Sequence, residues 1–260
     1  MTGMERLLAY YNTSPPDSMQ SAVVRNILAN IKQIGDLTIF DLADLCFTSA
    51  PSISRLVRKL GYKNYAYFQK DLLDSVRKYD IHNRLVSPEN KPHEQEMTEF
   101  FFETFDDLYQ KFREGLDYEK IHELCRMMDE AEKVAIYSYS IYFTEVFVQS
   151  DLFMSGKICD IQHQEKDILE HAKVLTERDL VILIAPGGVE GLHVEEVIRA
   201  IRATGAKLCL ITDSNRMARN SGAEISFPLP GVKMAIDMFI MQLFLCVVEM
   251  EYRKLYIDES

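Results

Sequence analysis

Glu177-Arg-Asp-Leu-Val-Ile-Leu-Ile-Ala185 is the stretch on which the fold turns. Its inner run, Leu180-Val-Ile-Leu-Ile-Ala185, is apolar at every position, too short for a core helix and without the alternation of a half-exposed strand. A strand buried on both faces reads this way, and such strands belong to parallel sheets covered by helices on each side. Outward from it, the β-rich runs 134–138, 158–161, 208–212 and 225–227 repeat the theme, separated by segments of helical period. Strands alternating with helices imply right-handed βαβ units, so the expected C-terminal fold is α/β with a five-stranded parallel sheet.

Upstream the period changes. Residues 94–112 and 118–131 read as two helices, the first with a Phe-rich face suited to a domain or subunit boundary. Ser87-Pro-Glu-Asn-Lys-Pro92 is the clearest linker in the chain. Before it the pattern is wholly helical. Val23, Val24, Ile27, Leu28 and Ile31 recur at helical spacing from Ser18 and stop near Gly35. Thr38-Ile-Phe-Asp41 places a hydroxyl and an acid three apart, a capping box for a short helix. After a turn at 46–48, Ser49 caps a third helix that carries Ile53, Leu56, Val57 and Leu60 on one side and ends at Gly61. A polar helical stretch with aromatics follows over 62–84. The expected organisation is an all-α helix-turn-helix domain at 1–80, a linker and connecting helix at 81–114, and the α/β domain at 115–260.

Composition narrows the function. Apolar residues make up 47% and charged residues 27% of 260 positions, ordinary for a globular protein with two cores. The net charge of −11 is unevenly spread: residues 1–87 hold 11 Lys and Arg against 8 Asp and Glu, a net of +3, and the remainder holds −14. Only the basic head is suited to approach phosphate. The apolar run 238–248 is broken by Gln242 and falls short of a membrane span, so it reads as a buried or interface helix. No secretory signal opens the sequence, which points to a cytoplasmic protein. Cys46, Cys125, Cys159, Cys209 and Cys246 are scattered, without a Cys-x-x-Cys or a histidine pair, and are expected to be buried free thiols rather than metal ligands. No metal and no cofactor is expected.

The segment Ser49-Ala-Pro-Ser-Ile-Ser-Arg-Leu-Val-Arg-Lys-Leu-Gly-Tyr62 has the make-up a helix needs to enter a major groove: small and polar side chains near its start, cations further along. With the apolar positions turned inward, Ser49, Ser52, Ser54, Arg55, Arg58, Lys59 and Lys63 are the candidate contacts to double-stranded DNA. Arg55 is placed to read a guanine edge, while Arg58, Lys59 and Lys63 suit phosphates. An isolated amphipathic helix with solvated charges has the same look. The capped helix before it, the short turn, the Gly61 stop and the basic head together favour DNA.

In an open parallel sheet, ligands bind outside the carboxyl ends of the strands. The loops there are Ser138-Tyr-Ser-Ile-Tyr142, Ala185-Pro-Gly-Gly-Val-Glu190 and Thr212-Asp-Ser214. Gly187 and Gly188 either offer backbone amides to an anion or form a tight strand-to-helix turn. Ser138 and Ser140 either donate hydroxyls to a phosphate or sugar or cap the next helix.

Leu42-Ala43, Ser49-Ala-Pro-Ser-Ile-Ser-Arg55, Lys59-Leu-Gly-Tyr62 and the aromatics of Tyr65-Ala-Tyr-Phe68 resemble the DNA-binding domain of the RpiR family of regulators over roughly the first 80 residues. Glu177-Arg-Asp-Leu-Val-Ile-Leu-Ile184 and Gly205-Ala-Lys-Leu-Cys-Leu-Ile-Thr-Asp-Ser214 are similar to the strands of the family's SIS domain, which binds phosphorylated sugars, and that resemblance covers about 115–235. The binding loops depart from it. Where such domains carry Gly-x-Gly-Ser-Ser this chain has Ser138-Tyr-Ser-Ile-Tyr142, and where they carry Ser-x-Ser-Gly-x-Thr it has Ala185-Pro-Gly-Gly-Val-Glu190. Glu190 sets a carboxylate where a phosphate oxygen would approach, and like charges repel.

The resemblance implies a transcription regulator of carbohydrate-metabolism genes, a homodimer or homotetramer whose C-terminal domain senses a sugar-phosphate-like effector or only dimerises. The apolar run 232–248 is expected to be one helix, either at the subunit interface or in the core. Two other classes remain open. A phosphosugar isomerase would draw a proton-shuttling group from Glu165, His171, Glu190 or His193, with His163 and His193 otherwise read as surface or core histidines. A pure interaction module would have lost small-molecule binding altogether.

Overall fold

Five apolar runs become five strands in the computed structural model, which describes residues 3–77, 79, 84–139, 142–186 and 193–258. The chain divides into two compact units, Met1–Asn83 and Arg84–Ser260.

In the second unit the strands are β1 (Lys133–Ser138), β2 (Ile158–Gln162), β3 (Leu180–Ile184), β4 (Lys207–Thr212) and β5 (Ile225–Pro228), within a residue or two of the expected runs. All pair in parallel in the order β2-β1-β3-β4-β5, with Val134 opposite Leu180 and Ser138 opposite Ile184 where β1 meets β3. The strand order reverses between β1 and β3, so the crevice for a ligand opens at their carboxyl ends.

Period-2 geometry sends alternate side chains to opposite faces and divides the core in two. Val134, Ile136, Ile182, Ile184, Cys209 and Ile211 meet Ile121, Leu124, Val148, Leu152, Phe244 and Leu245 on one side. Ala135, Tyr137, Val181, Leu183, Leu208 and Leu210 meet Ile168, Ala172, Val197 and Ile201 on the other.

Every element among the described residues of the N-terminal unit is a helix: α1 (Gly3–Thr13), α2 (Met19–Ala29), a 3-10 turn (Ile31–Asp36), α3 (Ile39–Leu45), α4 (Ala50–Lys59) and α5 (Tyr65–Arg77). Its core joins Leu7, Val24, Ile27, Leu42, Ile53, Leu56, Phe68 and Leu72. Helix α1 is an addition to the expected elements. It lies against α5 at Gly3, where an added Cβ would meet the Leu72 backbone at 3.0 Å and force the two helices to give by a few tenths of an ångström.

Around the sheet run α6 (Met97–Glu114), α7 (Tyr118–Glu130), α8 (Phe143–Met154), α9 (Glu165–Ala172), α10 (Val194–Thr204), α11 (Asn215–Asn220) and α12 (Asp237–Arg253). Helix α6 buries Leu108 and Phe112 in the same core as α7, and its Phe105 ring meets Phe239 of α12 edge-on at 5.9 Å. The apolar segment 232–248 is helical only from Asp237. Ahead of it Lys233 has φ of +61°, and the buried Asp237 carboxylate accepts the backbone N–H groups of Val232, Lys233 and Met234. Four of the five cysteines are buried free thiols as expected, whereas Cys246 is half-buried. Among the described residues, no helix is long and apolar enough to cross a membrane.

Candidate functional site

Two places gather the chemistry, one in each unit. In the helical unit, Thr38 and Asp41 form the expected capping box: the Asp41 backbone N–H donates to the Thr38 hydroxyl at 3.2 Å and the Thr38 N–H to the Asp41 carboxylate at 2.9 Å. The hydrogen bonds from Thr38 hold the exposed Asp41 carboxyl below its ordinary range. Helix α3 closes with Phe47 N–H on Asp44 O and Thr48 N–H on Ala43 O, the paired bonds of a Schellman motif. Helix α4 then starts at Ser49 with Pro51 in its first turn.

Ser49 stands at the N-cap, but its hydroxyl does not cap. It lies 3.0 Å from the Ser52 hydroxyl, to which Arg55 also donates at 3.1 Å. Helix α4 buries Ile53, Leu56 and Val57 and exposes Arg55, Arg58 and Lys59, with Ser52 and Ser54 half-buried between. Lys63, beyond the Gly61 stop, is exposed. Ser49, Ser52 and Arg55 are thus joined in one hydrogen-bonded row. Lys59 is drawn aside, donating to Gln20 at 3.0 Å and lying over the Tyr10 ring at 5.1 Å.

At the carboxyl end of β1, Ser138 is buried, and its hydroxyl pairs with His163 Nδ1 at 2.8 Å rather than capping α8. His163 Nε2 lies 3.6 Å from a carboxyl oxygen of Glu145, in the first turn of α8. Glu145 is only 1% exposed, and its second oxygen has no hydrogen-bond partner among the described residues. Burial pushes its pKa up to about 7, against the opposing pull of the Ser138 hydroxyl and the Tyr142 amide. Burial likewise lowers His163, with Ser138 opposing. Both partners are therefore biased toward their neutral forms. The trio can donate and accept hydrogen bonds, and it can hold or release a proton near neutrality.

Of the other expected groups, Ser140, Gly187, Gly188 and Glu190 lie outside the described residues. Glu165 and His193 do meet, at 2.8 Å on the surface, and the Glu165 hydrogen bond raises the His193 pKa. His171 is engaged through both ring nitrogens, to Tyr137 at 2.7 Å and Asp160 at 3.1 Å. In the loop after β4, the Ser214 hydroxyl caps α11 by accepting from the Met217 N–H at 3.2 Å, and Thr212 accepts from the Ser214 N–H at 3.1 Å. Those two hydroxyls serve the backbone.

Sequence alone does not bring Glu145 and His163 together, because 18 positions separate them. The available signal is a lone acid in the apolar stretch Phe143-Thr-Glu-Val-Phe-Val148, at a helical position that packs inward.

No family model matches the chain, and no curated protein does. Among solved structures, the Vibrio vulnificus NanR protein complexed with ManNAc-6P matches with TM-score 0.50 and 18% identity, over 96% of this chain and 92% of that one. The sugar isomerase domain of an RpiR transcription factor from Sphaerobacter thermophilus matches with TM-score 0.52 and 14% identity, over 62% of this chain and 92% of that one. At identities this low the likeness is one of fold, and the α/β unit has the SIS-like fold of that sugar isomerase domain.

Proposed function

We propose that the protein is a DNA-binding transcription regulator of the RpiR type, acting on carbohydrate-metabolism genes, in which α3 and α4 form a helix-turn-helix and α4 enters the major groove. The observation that carries this reading is the hydrogen-bonded row of Ser49, half-buried Ser52 and exposed Arg55 at the start of α4, directly after a capped helix and a tight turn. Residues near the start of a recognition helix reach base edges. Arg55 reads a guanine, with Arg58 and Lys63 on phosphates and Lys59 in a supporting place beside Gln20. Ser54 flanks the row.

The α/β unit pairs two copies and takes a sugar-phosphate-like effector beside Ser138 and His163, or serves pairing alone. Support for pairing comes from large apolar side chains left exposed on α8 and α12, among them Phe143, Val146, Phe147, Met238 and Phe239. Support for the effector comes from the fold and from the NanR relative, which was solved with ManNAc-6P.

Selection of duplexes from a random pool by the full-length chain tests the reading. A near-palindromic motif is expected, with half-sites about one helical turn, or a multiple, apart. Failure to enrich any motif refutes it. A phosphosugar isomerase has one observation in its favour, the Glu145 carboxyl held near neutrality beside His163. Incubation with aldose and ketose phosphates separates the two, and no interconversion is expected.

A further inference from the structure

Two helices of the N-terminal unit end in the same motif with different residues at its critical position. After α4, Gly61 N–H bonds to Arg58 O, Tyr62 N–H bonds to Val57 O, and Gly61 has φ of +91°. After α3, Phe47 N–H bonds to Asp44 O, Thr48 N–H bonds to Ala43 O, and Phe47 has φ of +52°. The residue at this position adopts the left-handed conformation, which glycine enters freely and a bulky L side chain does not. Phe47 is thus strained where its counterpart is relaxed.

That strain is not recovered within the unit. Phe47 is 91% exposed, and it stands apart from the buried cluster of Leu7, Ile27, Ile53 and Phe68. A single exposed apolar side chain is unremarkable on its own. Here the left-handed backbone carries a strain that no burial of the ring offsets. It sits two residues ahead of Ser49, at the end of α4 from which base edges would be reached.

We infer that Phe47 is a specificity-determining residue, whose ring packs on a thymine 5-methyl group in the major groove next to the base pair read by Arg55. This rests on the DNA-binding reading above. Apolar contact is the recognition open to an aromatic ring at that methyl, since neither has a hydrogen bond to give.

The test uses the duplex enriched by the full-length chain, and copies in which each thymine in turn is replaced by uracil, which removes only the methyl. One position per half-site is expected to bind wild type about fourfold more weakly as uracil, the equivalent of roughly 0.8 kcal/mol for one buried methyl group. Phe47→Gly is expected to bind thymine and uracil equally there, to keep the preference at the Arg55 position, and to melt about 4 °C or more higher because the left-handed residue is relaxed.

Equal binding of thymine and uracil by wild type at every position overturns the inference while leaving DNA recognition intact. Retained thymine preference in Phe47→Gly overturns it too. A lower melting temperature in that variant would mean that the ring serves the fold, and a changed oligomeric mass that it packs on a second copy. Either result also overturns it. If no duplex is enriched, the DNA-binding reading falls and takes this inference with it.

Discussion

Replacing Glu145 by Gln should make the α/β unit more stable above neutral pH and leave it little changed in acid. Folded Glu145 titrates at about 7 because burial disfavours its charge, against an ordinary value of 4.5. The raised value means that folding holds a proton which the unfolded chain has already released. The associated stability is fully present below about pH 4.5 and is lost as pH rises through about 7. A difference of 2.5 pKa units corresponds to roughly 3 kcal/mol. Gln does not titrate and resembles the protonated acid in shape.

The stability of Glu145→Gln minus that of wild type should therefore grow by roughly 2.5 kcal/mol between pH 5 and pH 8. His163 contributes in the opposite sense, since its lowered pKa gives stability that is present above 6.5 and lost in acid. That contribution is common to both proteins and largely cancels in the difference. Urea unfolding of the two full-length chains by circular dichroism at each pH reads the effect. At about 2 kcal/mol per molar, the midpoint of the responding transition should separate by about 1.5 M at pH 8. A difference that is flat with pH, or that shrinks toward pH 8, would refute the assignment of a buried, neutral-leaning carboxyl.

Three further outcomes follow from the helical unit. Thr38→Ala removes the cap of α3 and should cost about 1 kcal/mol, lowering the thermal midpoint of that unit by several degrees, with Thr38→Ser restoring most of it. Gly61→Ala forces a Cβ onto backbone at φ of +91° and within 3.3 Å of the Arg6 guanidinium, and should destabilise by about 1 kcal/mol in the same thermal scan. Lys63→Ala should weaken binding to all duplexes alike and make the slope of log affinity against log salt shallower by about 0.9, the share of a single neutralised phosphate, read by fluorescence anisotropy over a salt series.

The strands are legible in the sequence because a strand buried on both faces must be apolar at nearly every position, and 180–185 leaves no other reading. Capping chemistry makes α3 legible in the same way, through Thr38 and Asp41. Helix α1 escapes such a reading since its burial rests mainly on Leu7 and a glycine contact, which leave little helical periodicity to detect. Apolarity alone suggests helix over 232–236. The competing signal is local: an acid at Asp237 that collects three backbone amides favours a turn ahead of the helix. The Ser49 hydroxyl turns to Ser52 and Arg55 instead of the backbone, a choice among neighbours that residue type does not decide. Ser138 is legible as a polar group at a strand end, but its partner His163 comes from another strand's end and depends on the register of β1 against β2.

The account stands on α4 reading base pairs, and comparison of wild type with Arg55→Ala on every single-base variant of the enriched duplex tests that most directly. Loss of discrimination at one base pair in each half-site, worth about 1 to 3 kcal/mol, with the other positions ranked as before, is the expected result. An unchanged ranking at every position would remove Arg55, and with it the orientation of α4 in the groove.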